Sequence, residues 1–240
     1  SVNAGPDGRI IACGTGATGA IDKLRREGAR RVLVLPLYPQ YSGTTTASVF
    51  DFVTRKLGRM RWIPEMRFIN QYHDAPGYIA ALAASIREYW QEHGRGAHLL
   101  FSFHGVPKYT LEGGDPYHCQ CQKTGRLVAE ALGLGKDEWT LSFQSRVGRD
   151  EWLRPYTDET VEQLGKSLKR SGAGKPPVLE RNGERRWPWS QGQAARVEIQ
   201  VSRPGVVALQ AAQIHAPRVH GLAHLITQLI PTHPADENRV

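Results

Sequence analysis

The run His98-Leu99-Leu100-Phe101-Ser102-Phe103 contains no lysine, arginine or carboxylate, and it passes directly into His104-Gly105. A short apolar run without polar alternation is how a strand buried on both faces of a parallel sheet reads. In an open α/β sheet the carboxyl ends of the strands face the crevice where ligands bind. His104 therefore stands at the mouth of a buried strand, and Gly105 allows another backbone to approach closely.

The flanking sequence supplies the helices that such a sheet needs. A helical stretch at 20–28 precedes the β-branched run Arg31-Val32-Leu33-Val34-Leu35-Pro36-Leu37, and a second helix follows at 46–57. Residues 65–70 read as the next strand. In 78–92, Ile79, Leu82, Ile86 and Tyr89 recur at helical spacing and lead to the strand ending at His104. A helix at 125–134, a strand at 139–143 and a helix at 158–169, with Thr157 as its N-cap, complete the pattern. Strands alternating with helices predict an α/β fold with parallel sheets. The two β-α clusters meet near residue 75, where Asp74-Ala75-Pro76-Gly77 breaks the pattern.

The expected organisation is one partial domain over 1–75, a second over 76–170, and a divergent, poorly ordered tail over 171–240. The tail holds seven of the 15 prolines and no Phe, Tyr, Met or Cys. Only 206–214 and 221–230 have enough apolar residues to suggest packed elements.

A 40% hydrophobic content over 240 residues suffices for a core. The net charge of +8 would suit an anionic partner, yet basic and acidic residues interleave through most of the chain. With no groove-reading motif, nucleic acid is not an expected partner. No apolar run reaches transmembrane length and the first residues lack signal-peptide features, so the expected location is cytoplasmic. Cys13, Cys119 and Cys121 are too few for a disulfide framework. Cys119-Gln120-Cys121 invites a metal reading, but a cluster normally takes four ligands. Two cysteines at a helix start, without an iron-sulfur cluster, are expected instead.

Gly14-Thr15-Gly16-Ala17-Thr18-Gly19 matches G-x-G-x-x-G after a strand-like Arg9-Ile10-Ile11-Ala12. Alone it predicts a dinucleotide site and an NAD-binding oxidoreductase. The acidic residue that should hold the ribose would fall near 37–41, where there is no Asp or Glu. His220 and His224 have i, i+4 spacing, but neither they nor His215 have an acidic companion, so they are read as incidental.

Gln144, Ser145, Arg146 and Trp152 follow a strand and should reach the crevice, and Tyr38, Tyr41 and Ser42 occupy the equivalent mouth of the first cluster. An indole can stack on a flat ligand and an arginine can pair with its carboxylate. Asp158 and Glu159 read as helix N-terminal acids that favour the dipole.

In chain order, Leu35-Pro36-Leu37-Tyr38-Pro39-Gln40-Tyr41-Ser42-Gly43-Thr44-Thr45-Thr46, Ser102-Phe103-His104-Gly105, Gly114-Asp115-Pro116-Tyr117, Ser142-Phe143-Gln144-Ser145-Arg146 and Trp152-Leu153-Arg154-Pro155-Tyr156-Thr157-Asp158-Glu159-Thr160 closely resemble ferrochelatase. This lyase family of haem biosynthesis inserts ferrous iron into protoporphyrin IX. The resemblance runs from about residue 20 to about 170.

It implies two Rossmann-like, chelatase-type parallel-sheet domains, both incomplete here, with a porphyrin cleft between them. It implies His104 as catalytic base and iron ligand, and Tyr38, Tyr41, Ser42, Gln144, Ser145, Arg146 and Trp152 as porphyrin-binding residues. Fe(II) would be a substrate and no cofactor is required. The partners would be porphyrin and ferrous iron, and the basic charge allows peripheral membrane association. The family's catalytic glutamate, in a His-hydrophobic-Glu setting, has no counterpart after Arg170, and an Arg-Tyr pair expected just before Ala20 is absent. The expectation is a chain whose ends derive from truncation or a shifted frame, with weak or no iron insertion. The alternative reading is a non-catalytic porphyrin-binding fragment.

Overall fold

The computed structural model describes residues 10–13, 17–26, 28–170, 198–203 and 206–210. Strands β1 (Ile10–Cys13), β2 (Arg31–Pro36) and β3 (Glu65–Phe68) form a parallel sheet in the order β1-β2-β3. A second sheet has the order β5-β4-β7-β6, from β4 (His98–His104), β5 (Trp139–Gln144), β6 (Glu198–Arg203) and β7 (Val206–Gln210). β5 and β7 both run parallel to β4, and β6 returns antiparallel to β7. Helices α1 (Ala17–Arg26), α2 (Thr46–Leu57), α3 (Pro76–His93), α4 (Lys108–Glu112), α5 (Tyr117–Leu132) and α6 (Thr157–Arg170) connect them. The chain thus has the α/β fold with parallel sheets that its sequence predicts.

β4 is central because both its faces are apolar. Leu99, Phe101 and Phe103 belong to a core shared with Ile86 of α3 and Val128 of α5, whereas Leu100 meets Val161 and Leu164 of α6. Full burial of each such side chain stabilises by about 1.5–3 kcal/mol. Several polar groups that enter this core arrive with partners, although the Tyr72 hydroxyl and the Trp90 indole N–H are buried without one. His98 is buried, but its Nε2 lies 2.9 Å from Thr140 Oγ1. The Thr157 hydroxyl sits 3.0 Å from Ser102 Oγ and 2.8 Å from Ser142 Oγ, joining α6 to both strands. Thr157 is therefore the first residue of α6 and not its N-cap: its side chain faces the strands instead of its own helix.

α5 begins eight residues before the 125–134 helix expected from the sequence. Its first two turns are polar, which hides the helical periodicity, because they pack against the other sheet's loops. Gln120 Oε1 accepts the Tyr41 amide at 2.7 Å, and Gln40 Nε2 donates to Thr124 Oγ1 at 3.0 Å. The Thr124 hydroxyl donates to His73 O at 2.8 Å, Gln120 bonds Gln71, and Lys123 Nζ reaches Asp74 Oδ2 at 2.5 Å. Just before the helix, Asp115 Oδ2 accepts the Ser42 hydroxyl at 3.0 Å and the Gly43 amide at 2.7 Å, while Oδ1 accepts the Tyr117 amide at 3.0 Å. One carboxylate thus joins the β2–α2 loop to the start of α5. Further along, a Cβ on Gly125 would come within 3.0 Å of Leu141 Cδ1 and 3.4 Å of Trp139 Cζ3, so this glycine lets α5 lie close on the sheet.

Other boundaries differ by small amounts: β3 stops at Phe68 instead of residue 70, and α3 starts at Pro76, where a proline is accommodated at a first helical turn. Within the expected tail, β6 and β7 extend the second sheet. That placement of β7 agrees with the apolar character of its sequence. Gly14, Thr15, Gly16, 221–230, His215, His220 and His224 lie outside the described residues.

Gly125→Leu should lower the unfolding free energy by about 1–3 kcal/mol, as expected when a methyl-free contact is overpacked, and denaturant titration will measure it. An unchanged midpoint would mean that α5 does not sit this close. Asp115→Ala strands the Ser42 and Gly43 donors and should lose about 1–3 kcal/mol by the same assay, whereas an exposed carboxylate would lose almost nothing.

The seam also predicts an acid response. Burial holds the pKa of His73 below its ordinary value, with Lys123 acting in the same direction against the opposing pull of Asp74, and burial does the same to His98. As pH falls through about 6.5 the unfolded chain protonates these rings first, so native stability declines from there downward, by at most about 1.4 kcal/mol per pH unit for each histidine. Urea midpoints between about pH 8 and pH 5.5 should fall with pH, and less steeply in His73→Gln. A rise on acidification would contradict the assignment.

Candidate functional site

His104 closes β4 and is exposed, although the six residues before it are buried. Its Nδ1 lies 2.7 Å from Gly105 O. A carbonyl can only accept, so Nδ1 carries the proton and the neutral ring keeps its lone pair on Nε2. Backbone contact thereby selects one tautomer and leaves a nitrogen able to accept a proton or bind a borderline cation. The His104 carbonyl is held in turn by the Tyr117 hydroxyl at 2.9 Å. Burial of that phenol pushes its pKa well above the usual value and keeps it a donor.

Gly105 is fixed by its neighbours. Its amide donates to Gln144 O at 2.8 Å, and a Cβ here would lie 2.9 Å from that oxygen and 3.2 Å from Trp152 Cε3. Only glycine lets β4, the end of β5 and the Trp152 ring converge. Gln144 is the register partner of His104 and is half-buried. Trp152 donates its indole N–H to Val147 O at 2.8 Å, and the following Leu153 amide bonds Val106 O at 3.0 Å, so the indole is clamped beside the histidine strand.

Ser145 turns the chain with φ of 68°, in the left-handed region that favours glycine. Beyond it, Arg146 engages α6: its guanidinium lies 2.8 Å from Asp158 Oδ2, 3.3 Å from Glu159 Oε1 and 4.2 Å above the Tyr156 ring. Arg154 stacks on the same ring at 4.2 Å and also reaches Glu159, at 3.5 Å. Asp158 and Glu159 stand in the first turn of α6, as the dipole favours. The sequence reading gave Arg146 a ligand carboxylate as partner, and in the structure those two side chains hold it.

At the mouth of the other sheet, Tyr38 and Tyr41 are half-buried and Ser42 is fully buried. Ser42 faces Asp115, which holds the start of α5, and Tyr117 of that helix touches His104. The structure therefore links Tyr41 and Ser42 to His104 through two intervening residues, and places Gln144 and Trp152 beside it. Arg146 stands apart in its own ion-pair cluster.

Gln40, Asp115, Tyr117, Gln120 and Thr124 were given no role from sequence. Asp115 carried a usable signal, because an aspartate two residues before a helix amide and followed by proline forms a turn with its own side chain. The two thiols of 119–121 differ: Cys119 is exposed and Cys121 is buried, where burial pushes its pKa well up and keeps it protonated. Among the described residues no three His, Cys, Asp or Glu side chains gather closely enough to hold a metal ion, and no helix is long and apolar enough to cross a membrane.

Comparison with known proteins matches the ferrochelatase family model to residues 16–172. The chain is 62% identical over 143 residues to a ferrochelatase of Thioalkalivibrio sulfidiphilus (strain HL-EbGR7), covering 60% of this chain and 39% of that protein. It is 60% identical over 143 residues to a ferrochelatase of Nitrosococcus oceani, again covering 60% and 39% of the two chains. A ferrochelatase of Azoarcus sp. (strain BH72) is 54% identical over 167 residues, covering 68% of this chain and 45% of the relative. The chain thus spans about two fifths of the length of the curated relatives it matches. With the matched region taking in β2 through α6 and every residue of the mouth just described, the chain belongs to the ferrochelatase family.

Proposed function

We propose that this chain binds a porphyrin at the mouth formed by β2, β4 and β5 and presents His104 to ferrous iron for insertion into the macrocycle. The observation that carries the reading is the fixed tautomer of His104, with Nδ1–H tied to Gly105 O and Nε2 left as the basic nitrogen at an exposed strand end. Insertion exchanges two pyrrole N–H protons for one Fe(II). A neutral imidazole suits both halves of that exchange, since its lone pair can guide the cation or take up a proton.

The flat faces available to the macrocycle are the Trp152 indole and the rings of Tyr38 and Tyr41. The Ser42–Asp115–Tyr117 connection supports the spacing between these two sides. Arg146 can receive a propionate by releasing Asp158 and Glu159, since all three are substantially exposed and ion pairs of that kind are worth only about 0–1 kcal/mol.

Residues 171–240 contain no His-hydrophobic-Glu segment, and the slow-insertion reading takes His104 to act without the family's facing acid–base partner. Loss of such a partner lowers rates about 10²- to 10⁴-fold. Porphyrin binding is therefore expected to be robust and insertion slow, which unites the catalytic and porphyrin-binding readings. The dinucleotide reading gains no support, because the stretch 37–41 offers no carboxylate for a ribose.

Anaerobic assay with Fe(II) and protoporphyrin IX should give slow insertion that His104→Ala abolishes, while the porphyrin Kd and the circular dichroism spectrum stay essentially unchanged. Trp152→Phe should remove part of the porphyrin-induced quenching of tryptophan emission. Absence of porphyrin binding by the folded chain would refute the proposal, and insertion undiminished in His104→Ala would remove His104 from it.

A further inference from the structure

The Nδ1–H tautomer of His104 depends on where the Gly105 carbonyl points, and that direction is set from outside the histidine. The peptide joining His104 to Gly105 is gripped at both ends: its carbonyl accepts the Tyr117 hydroxyl at 2.9 Å, and its N–H donates to Gln144 O at 2.8 Å. One residue on, Val106 O accepts the Leu153 amide at 3.0 Å. The Gly105 carbonyl lies between these two fixed points. Glycine has the widest choice of φ and ψ, so a carbonyl at this position keeps one direction only while the backbone on either side is held. That carbonyl is the acceptor, 2.7 Å away, that keeps the ring proton on Nδ1.

Tyr117 is well placed to supply its part of the grip. It opens α5, and its ring packs against the core that holds Phe101, Phe103 and Phe143. Its amide donates to Asp115 Oδ1 at 3.0 Å, so the helix start is set by the carboxylate that also holds the β2–α2 loop. Cys121 stands one turn further along the same face, and its thiol meets the Tyr117 hydroxyl. Burial keeps that thiol protonated, which lets its S–H donate to the phenol and leaves the phenolic proton for His104 O. A hydroxyl that receives one hydrogen bond gives a stronger one. Phenylalanine would fill the same space, so packing alone does not call for the hydroxyl.

We infer that Tyr117 is a positioning residue for His104: its hydroxyl anchors the His104–Gly105 peptide, so that Gly105 O selects the Nδ1–H tautomer and Nε2 is presented as the free base. The inference rests on the proposed use of that nitrogen toward porphyrin and iron, yet the contact acts on the histidine before any ligand arrives. Which ring nitrogen carries the proton is decided by the hydrogen bond the other elements offer it. Without a fixed acceptor at Nδ1, a neutral imidazole in water favours the opposite form, with the proton on Nε2 and no lone pair facing outward.

The test reads the ring itself. Nitrogen NMR of the isotopically labelled chain, free of porphyrin and iron and with its histidines neutral, should show His104 protonated at Nδ1 and unprotonated at Nε2. His104→Ala assigns the signal. Tyr117→Phe should keep the circular dichroism spectrum and move the ring toward the Nε2–H form. Carbethoxylation of His104 by diethyl pyrocarbonate, followed by peptide mapping, should slow in that variant. Iron insertion should fall about ten- to a hundredfold, the scale on which a misplaced catalytic group costs rate. Replacing Tyr117 by para-aminophenylalanine returns an N–H donor to the same place and should restore both the Nδ1–H form and the carbethoxylation rate.

An Nε2–H ring in the unaltered chain would overturn the inference outright. So would an Nδ1–H ring that survives in Tyr117→Phe, even with lowered stability, since the hydroxyl would then be structural only. Failure of para-aminophenylalanine to restore the tautomer in a natively folded chain would do the same. Because the tautomer is read without ligand, loss of the porphyrin reading and loss of this one are separate results.

Discussion

The Asp115 carboxylate is the interaction on which the arrangement of the site depends. Three donors converge on its two oxygens: the Ser42 hydroxyl and Gly43 amide from the loop after β2, and the Tyr117 amide from the first turn of α5. Hydrogen bonds to an ionised acceptor are stronger than neutral ones and are directional. An apolar contact between the same segments could slide by an ångström with little loss, whereas this one fixes both separation and angle. Because Tyr117 then holds the His104 carbonyl, the position of the Tyr41–Ser42 rim and that of the histidine are set by one short chain of contacts.

The rest of the seam follows the same logic. Gln40, Thr124 and Gln120 are buried side chains that would be destabilising without partners, and each finds one across the seam or along α5. Buried polar contacts of this kind specify a single geometry more sharply than they add stability. The apolar ledger is carried elsewhere, by Leu99, Phe101, Phe103, Ile86 and Val128. Division of labour between an apolar core behind the strands and a polar seam at their mouths places directional contacts at the strand ends around His104.

This division also explains what could be read from the sequence. β4 and its terminal histidine were legible because a strand buried on both faces has an unmistakable composition. β2, α2 and α3 were legible because their apolar residues follow the period of the element. The start of α5 was hidden, since its inward face carries Gln120 and Thr124 instead of leucines, and Gly125 looks like a helix breaker until Leu141 and Trp139 are seen against it. Gln120 and Thr124 share a cause of obscurity: their partners Gln40, Tyr41, Gln71 and His73 lie 49 to 84 residues away, beyond any local pattern, whereas Asp115 also has a local partner in the Tyr117 amide. The Arg146 cluster was half legible, as Asp158 and Glu159 were recognised as helix-start acids while their hold on Arg146 depended on the turn at Ser145.

That turn carries the last step. A serine at φ of 68° sits in a region that costs a residue with a Cβ about 1 kcal/mol or more, and it persists because the structure on either side over-determines it. On one side, the Phe143 amide is bonded to Pro155 O at 2.8 Å and Gln144 is locked in register with His104. On the other, Arg146 and Arg154 both stack on the buried Tyr156 ring, each at 4.2 Å. Strain at Ser145 is thus balanced by cation–π and ionic contacts that are exposed and individually weak. Anything that draws Arg146 away, a ligand carboxylate included, removes part of that balance and lets the segment between β5 and Trp152 shift. The segment is consequently held firmly where it meets His104, by backbone register and buried contacts, and only by exposed ionic and cation–π contacts where it carries Arg146.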